Sequence, residues 1–297
     1  MKIVLAGGNG YLGSYLTTLW REAGHSVVPL TRSGEGVRWD GETLGDWASE
    51  LDGADVLFNL AGRSVNCRYN NRNKEEILSS RVRSTRVLGE AVAGATNPPR
   101  VWLNASTATI YRDSRDRPMD DEIGEIGSGF SVDVAMTWED EFFFCSTPST
   151  RKVALRTAMV MGQGRGGPFE VFDSLARRGF GGMMGDGGQM VSWIHIEDFA
   201  RAVEFLLSSD LCGTVNVSAP GPLQNRAFMQ EIVKARGVKI ALPSPALLLE
   251  VGAVILRTET ELPLKSRWVV PSRLLLEGFK FRFQTWPQAV RDLTRAT

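Results

Sequence analysis

Lys2-Ile3-Val4-Leu5-Ala6-Gly7-Gly8-Asn9-Gly10-Tyr11-Leu12-Gly13 decides the fold of this chain. Ile3 to Ala6 is an apolar run without polar alternation, the pattern of a strand buried on both faces of a parallel sheet. Gly7, Gly10 and Gly13 follow at G-x-x-G-x-x-G spacing, and the helical pattern Tyr11-Leu12, Tyr15-Leu16, Leu19-Trp20 begins at once. A strand that turns tightly into a helix presents unpaired backbone N–H groups at the positive end of the helix dipole, and glycine lets that backbone approach a ligand closely. Three spaced glycines can also be a plain turn. Their place between a buried strand and an amphipathic helix points to a pyrophosphate seat, hence to a dinucleotide.

The chain has 297 residues, enough for one large α/β domain or a domain with a smaller lobe. Acidic and basic residues balance at 34 each, so no overall field favours nucleic acid or an anionic membrane. Cys67, Cys145 and Cys212 are scattered, which fits a reducing compartment, and two histidines argue against a metal cluster. A strand beginning at Lys2 leaves no room for a signal peptide, and no apolar run nears the ~20 residues a membrane helix needs. The expectation is a soluble, cytoplasmic protein.

Ser26 to Arg32 reads as the second strand. The residue closing this strand meets the adenosine ribose in a dinucleotide fold, where an acid accepts from the 2′-OH of NAD. Here the tip carries Arg32, either a solvated arginine or the partner of a 2′-phosphate, and the missing acid favours NADP. Val37 to Trp39 reads as a third strand, Leu44 to Leu51 as a helix, and Asp55 to Gly62 as a fourth strand with a small-residue turn. In a sheet ordered 3-2-1-4-5 that turn lies beside the cofactor. A helix is expected from Lys74 to Gly94, with Arg81, Arg83 and Arg86 on a solvated face, then a fifth strand from Arg100 to Ala105. Ser106 to Tyr111 sits at its carboxyl end, the edge where ligands collect. Further helices are expected over Ser131–Phe144, Phe169–Arg178, up to Leu207, from a cap at Asn225 to Arg236, and over Ala246–Leu256, with strands at Arg151–Thr157 and Thr214–Ser218. Residues 162 to 188 are dominated by glycine and read as mobile or ligand-facing loops.

With the glycine turn, Asn59-Leu60-Ala61-Gly62, Ser106-Thr107-Ala108-Thr109-Ile110-Tyr111 and Trp193-Ile194-His195-Ile196-Glu197-Asp198 in this order, the chain resembles the extended short-chain dehydrogenase/reductases. Segments Ser80–Arg86, Gly185–Gln189 and Gly278-Phe279 make it similar to their atypical branch, NAD(P)-dependent epimerase/dehydratase-like proteins of family 39U type with a C-terminal domain of unknown function. The resemblance implies an α/β fold: a Rossmann-type doubly wound parallel sheet in residues 1–240, with residues 163–190 joining a smaller substrate lobe, and a C-terminal domain over 241–297. It implies an NADP(H) site at Gly7, Gly10, Tyr11, Leu12, Gly13, Arg32, Asn59, Leu60, Ala61, Gly62 and Met159. It further implies an oxidoreductase or epimerase acting on a small hydroxyl- or carbonyl-bearing substrate, with a homodimer among the oligomeric states. The family's proton relay needs a Tyr whose pKa a Lys four residues later lowers. Those positions fall at Ser131 and Ala135, and no Tyr-x-x-x-Lys occurs anywhere in the chain. Catalysis is then left to Thr107, Ser106 or Tyr111, and a phenol at Tyr111 without that lysine keeps a pKa of about 10. Ser106 and Thr107 can equally cap backbone, Tyr111 can pack, and His195 with Asp198 can fix a helix start rather than move protons. A non-catalytic NADP(H)-binding sensor and a non-redox isomerase are the alternative readings.

Overall fold

The computed structural model describes residues 1–164, 166–243 and 264–295. The helix expected over Ala246–Leu256 lies outside the described residues. In chain order the elements are β1 (Lys2–Ala6), α1 (Tyr11–Glu22), β2 (Ser26–Thr31), β3 (Val37–Arg38), β4 (Val56–Asn59), α2 (Asn71–Gly94), β5 (Val101–Thr107) and α3 (Phe130–Phe144). They continue with β6 (Arg151–Thr157), β7 (Met159–Met161), α4 (Pro168–Arg177), β8 (Met190–Val191), β9 (Trp193–His195), α5 (Ile196–Ser208), β10 (Gly213–Val217), β11 (Leu223–Gln224) and α6 (Asn225–Ala235). A short helix Ser272–Leu276 and a helix Trp286–Arg295 follow.

Seven strands form one parallel sheet in the order β10-β6-β5-β4-β1-β2-β3. Side chains of a strand alternate between the faces, and here both faces are covered. Ile3, Leu5, Val56, Phe58, Val153 and Leu155 pack with Leu16, Trp20, Phe199 and Val203 of α1 and α5. Val4, Ala6, Leu57, Trp102 and Ala154 pack with Val87, Leu88, Val92 and Phe142 of α2 and α3. Each fully buried Leu, Ile or Phe contributes roughly 1.5–3 kcal/mol, and close packing on both faces holds the strands between the helix layers. The order reverses at β1, whose neighbours are β2 and β4, and the crevice at that reversal is where such sheets take ligands.

A third apolar cluster joins α4, α6 and the helix Trp286–Arg295 around Trp193 and Phe228, and Trp286 stacks on Phe228 at 4.2 Å. The C-terminal segment is sewn back onto the sheet domain by buried polar contacts. Asp198, in the first turn of α5, accepts from Arg282 N at 2.8 Å and Phe283 N at 2.7 Å, and pairs with Arg201. Ser192 Oγ accepts from Val269 N at 2.8 Å and donates to Arg267 O. Met119, in the loop after β5, exchanges backbone bonds with Trp268 and Val270.

Several local expectations are corrected. The segment at Leu44–Leu51 is a short 3₁₀ helix over Asp46–Leu51, where Trp47 is tied to Thr43 O and edge-packed on Trp39. Asn225 is not the cap of α6 but its first residue, and its side chain accepts from Met184 N at 2.8 Å. Arg81 does not lie on a solvated face; it turns inward beside Trp138.

Asp198→Ala should remove about 3 kcal/mol of stability, because two buried N–H groups lose a charged acceptor together. Urea unfolding at neutral pH measures this. A loss below about 1 kcal/mol would show that the closing segment holds without the carboxylate.

Candidate functional site

The site begins where β1 runs out. Gly7 has φ 79° and lies so close to β4's exit that an added Cβ would sit 2.9 Å from Leu60 C and O. A Cβ on Gly13 would meet Gly7 O at 2.5 Å and Gly8 O at 2.7 Å. Gly10 differs: its Cβ would touch only Gly7 O, at 3.3 Å, so what it leaves open is the cleft rather than the protein. Gly10 is also the N-cap of α1, supplies no side-chain cap, and no acid stands in the first turn. The amides at this helix end are therefore free to take an anion.

Two cavities meet at Gly7, Gly10 and Leu60. One, of about 330 Å³, runs past Thr31, Arg32, Ser33, Trp39, Ala61 and Gly62. Arg32 is exposed there and makes no ion pair among the described residues, and the tip of β2 carries no acid. Asp40, across that cavity, is occupied with Thr43 and Glu42 N, and the Thr43 hydroxyl and backbone bonds hold its carboxyl down at about 2. The other cavity, of about 350 Å³, runs past Tyr11, Leu12 and Gly13 to Ser106, Thr107, Ser131, Phe130 and Trp138. The two meet at the glycine turn and together form a trough.

Asn59 is fully buried and reaches this trough only through backbone. Its Oδ1 accepts from Ala61 N at 3.0 Å while its Nδ2 donates to Asn104 Oδ1 at 2.8 Å and Thr85 Oγ1 at 3.1 Å, shaping the Leu60–Gly62 turn. Tyr11 is half-buried beneath the glycine loop, and a Cβ on Gly162 or Gly167 would strike its ring or hydroxyl. Burial raises its phenol well above the ordinary range. Met159 packs against the Trp193 cluster and lines neither cavity of the trough.

Of the three hydroxyl candidates the structure brings two to the cleft edge. Thr107 Oγ1 accepts from Thr109 N at 3.1 Å, which leaves its own proton available to a ligand. Ser106 Oγ donates at 2.5 Å to Glu139 Oε1, itself held by Arg156 Nε at 2.9 Å, while Arg156 Nη2 reaches Oε2 at 2.7 Å. Burial opposes the charge on Arg156, but the bonds and charge of Glu139 outweigh it and raise its pKa. Tyr111 is not brought to the cleft. It is 1% exposed, donates to Asn216 Oδ1 at 2.8 Å, and accepts from Arg156 Nη1 at 3.1 Å. Burial pushes its phenol above the ordinary 10, with Arg156 opposing. Ser131 lines the cleft and Ala135 is fully buried, so neither relay position carries an ionisable group.

His195 lies outside the trough. Its Nδ1 accepts from Glu197 N at 3.2 Å as the N-cap of α5, its ring stacks on Phe283 at 3.8 Å, and Nε2 lies 3.3 Å from Asp292 Oδ2. Burial lowers the imidazole to about 4 against the pull of Asp292 and Asp198, with Arg282 helping to lower it.

Arg81 is the residue sequence reasoning missed. Its guanidinium lies 5.1 Å over Trp138, and Nη1 donates to Ile77 O at 2.9 Å and Arg63 O at 3.1 Å. Burial lowers it to about 10, which still leaves it charged at neutral pH. A signal existed: Ile77, Arg81, Thr85 and Leu88 share one helical stripe, and the other three are buried.

Residues 3–218 match the NAD dependent epimerase/dehydratase family, and residues 244–293 match a domain of unknown function (DUF1731). The Epimerase family protein YfhF of Bacillus subtilis is 28% identical over 99% of this chain and 98% of its own length. The Epimerase family protein SDR39U1 of Bos taurus is 30% identical over 99% of both. The crystal structure of human epimerase family protein SDR39U1 (isoform2) with NADPH superposes with a TM-score of 0.90 at 28% identity, covering 100% of both chains.

The turn makes two glycines separable. Gly13→Ala should cost more than about 2 kcal/mol, because its Cβ meets backbone that cannot yield, whereas Gly10→Ala should stay within about 1 kcal/mol. Thermal and urea unfolding compare the two directly. His195 gives a pH signature. An unfolded imidazole protonates near 6.5 and the folded one near 4, so stability falls as pH drops through that window. His195→Gln should remove about 3 kcal/mol of that fall, read as the change in the difference between wild type and variant from pH 7 to pH 4.

Proposed function

Since the chain belongs to the NAD dependent epimerase/dehydratase family, we propose that it binds NADP(H) and acts as a reductase or epimerase-like enzyme on a small carbonyl- or hydroxyl-bearing substrate. The observation that carries the reading is the trough itself: open helix amides at its bend, an unpaired arginine at the tip of β2, and a free hydroxyl at the end of β5. The glycine turn would hold the pyrophosphate, Arg32 the 2′-phosphate, and the Leu60–Gly62 turn the middle of the cofactor. The NADPH bound to the human relative supports the same choice here. When bound, NADP(H) supplies or accepts hydride. The C-terminal residues 241–297, with residues 163–190, serve in this reading as the substrate lobe, and the three free thiols suit a reducing, cytoplasmic setting.

Thr107 is the hydroxyl assigned to the substrate oxygen. Ser106 acts behind it, because its proton is committed to Glu139. A threonine hydroxyl donates a hydrogen bond readily and gives up its proton reluctantly, so reduction is the favoured direction and turnover is slow. The lack of any ionisable group at 131 and 135 favours a second reading, an NADP(H) sensor without turnover. NADPH oxidation with a panel of carbonyl compounds, lost in Thr107→Val, decides for the enzyme.

Arg32→Ala should weaken NADPH binding by about ten- to hundredfold, equivalent to roughly 1.4–2.8 kcal/mol, and leave NADH within about twofold. Fluorescence titration with both cofactors tests it. Equal losses, or a native preference for NADH, would sink the NADP assignment.

A further inference from the structure

The part of the trough beyond Thr107 has chemistry that the cofactor reading does not use. Its walls include the apolar or aromatic Val65, Tyr69, Ile77, Phe130, Val134 and Trp138, with Thr109 and Ser131 beside them. Tyr69 packs edge-on against Phe130 at 5.0 Å, so the walls are braced against one another. Lys74 Nζ lies 5.2 Å from the centroid of the Phe130 ring, and among the described residues that line this end the cation is Arg81.

Its side chain has no carboxylate within ion-pair distance among the described residues, although Arg63 and Arg72 nearby are both paired with Glu76. Both Nη1 hydrogens are spent on Arg63 O and Ile77 O. Those bonds and the Trp138 face fix the plane of the guanidinium. The Nε–H and the Nη2 hydrogens have no acceptor among the described residues. Neither atom is fully buried, and Arg81 lines the cleft. A half-buried, unpaired guanidinium is costly to keep, and its open Nε/Nη2 edge matches the two oxygens of a carboxylate.

We propose that Arg81 is the specificity residue of the substrate pocket and that the substrate is a carboxylate carried on an apolar, ring-sized body, seated between Tyr69, Phe130 and Trp138. This rests on the glycine turn being the pyrophosphate seat, because that leaves the Arg81 end of the trough for the substrate. A diphosphate would meet a single fork here, whereas a carboxylate matches it.

Benzoate, its neutral isostere benzamide, and phenyl phosphate are the probes, titrated calorimetrically into the protein with and without saturating NADPH. The expected result is saturable benzoate binding, with benzamide and phenyl phosphate at least tenfold weaker. Arg81→Met should lose at least tenfold in benzoate affinity, and Arg81→Lys should recover part of it. NADPH affinity should stay within threefold in both variants. Equal binding of benzoate and benzamide by the wild-type protein would overturn the proposal without recourse to any variant. So would tighter binding of phenyl phosphate, or a tenfold loss of NADPH affinity in Arg81→Met, which would assign the guanidinium to the cofactor. If the wild-type protein fails to bind NADPH, the cofactor reading falls, and the benzoate and benzamide titrations without NADPH still decide the carboxylate proposal.

Discussion

The closeness of three backbones at the end of β1 governs this molecule. Gly7 abuts the carbonyl of Leu60, and Gly13 abuts the carbonyls of Gly7 and Gly8. Side chains at either position would push α1 away from the sheet or β1 away from the exit of β4. Because neither carries one, the first turn of α1 ends over the point where strand order reverses, with its amides facing the crevice. The cleft at the glycine turn follows from that contact.

A second layer of order is polar and buried. Asn59, Asn104, Thr85 and Trp138 form one hydrogen-bonded set linking β4, β5, α2 and α3. Ser106, Glu139, Arg156, Tyr111 and Asn216 form another linking β5, α3, β6 and β10. Partly satisfied networks of this kind are costlier than an apolar core, and fully satisfied ones fix geometry. Both sets flank the cleft, so the elements that carry Thr107 and Trp138 are held by directional bonds as well as by packing.

The sheet was legible because β1, β4, β5 and β6 each contain a run that is apolar on both faces, a pattern only a covered parallel sheet satisfies. The strand–glycine turn–helix geometry and the placing of Arg32 on a cavity wall were legible because both are local in sequence. Tyr111 was not: its fate depends on Asn216, 105 residues away, and spacing carries no trace of that bond. Ser106 and Thr107 are adjacent and chemically alike, yet only Ser106 bonds to Glu139, 33 residues on. Arg81 was not legible because a charged residue on a helix is usually solvated, although its phase on α2 matched the buried stripe. The 3₁₀ segment at Asp46–Leu51 escaped because an apolar pattern of that length does not distinguish one helical winding from another.

The stitching of residues 266–283 onto earlier elements bears on how the chain is made. Synthesis runs from the N-terminus, and the segments that carry Ser114, Ser192 and Asp198 emerge long before their partners at Ser266, Val269, Arg282 and Phe283. Until then Asp198 is an acid without its two amides, and Ser114 and Ser192 lack the groups that bury them. All seven strands of the sheet lie before position 218, well ahead of the polar partners at 266–283. Formation of the sheet and closure of its polar seam are therefore separable along the chain, because the second waits on residues 266–283.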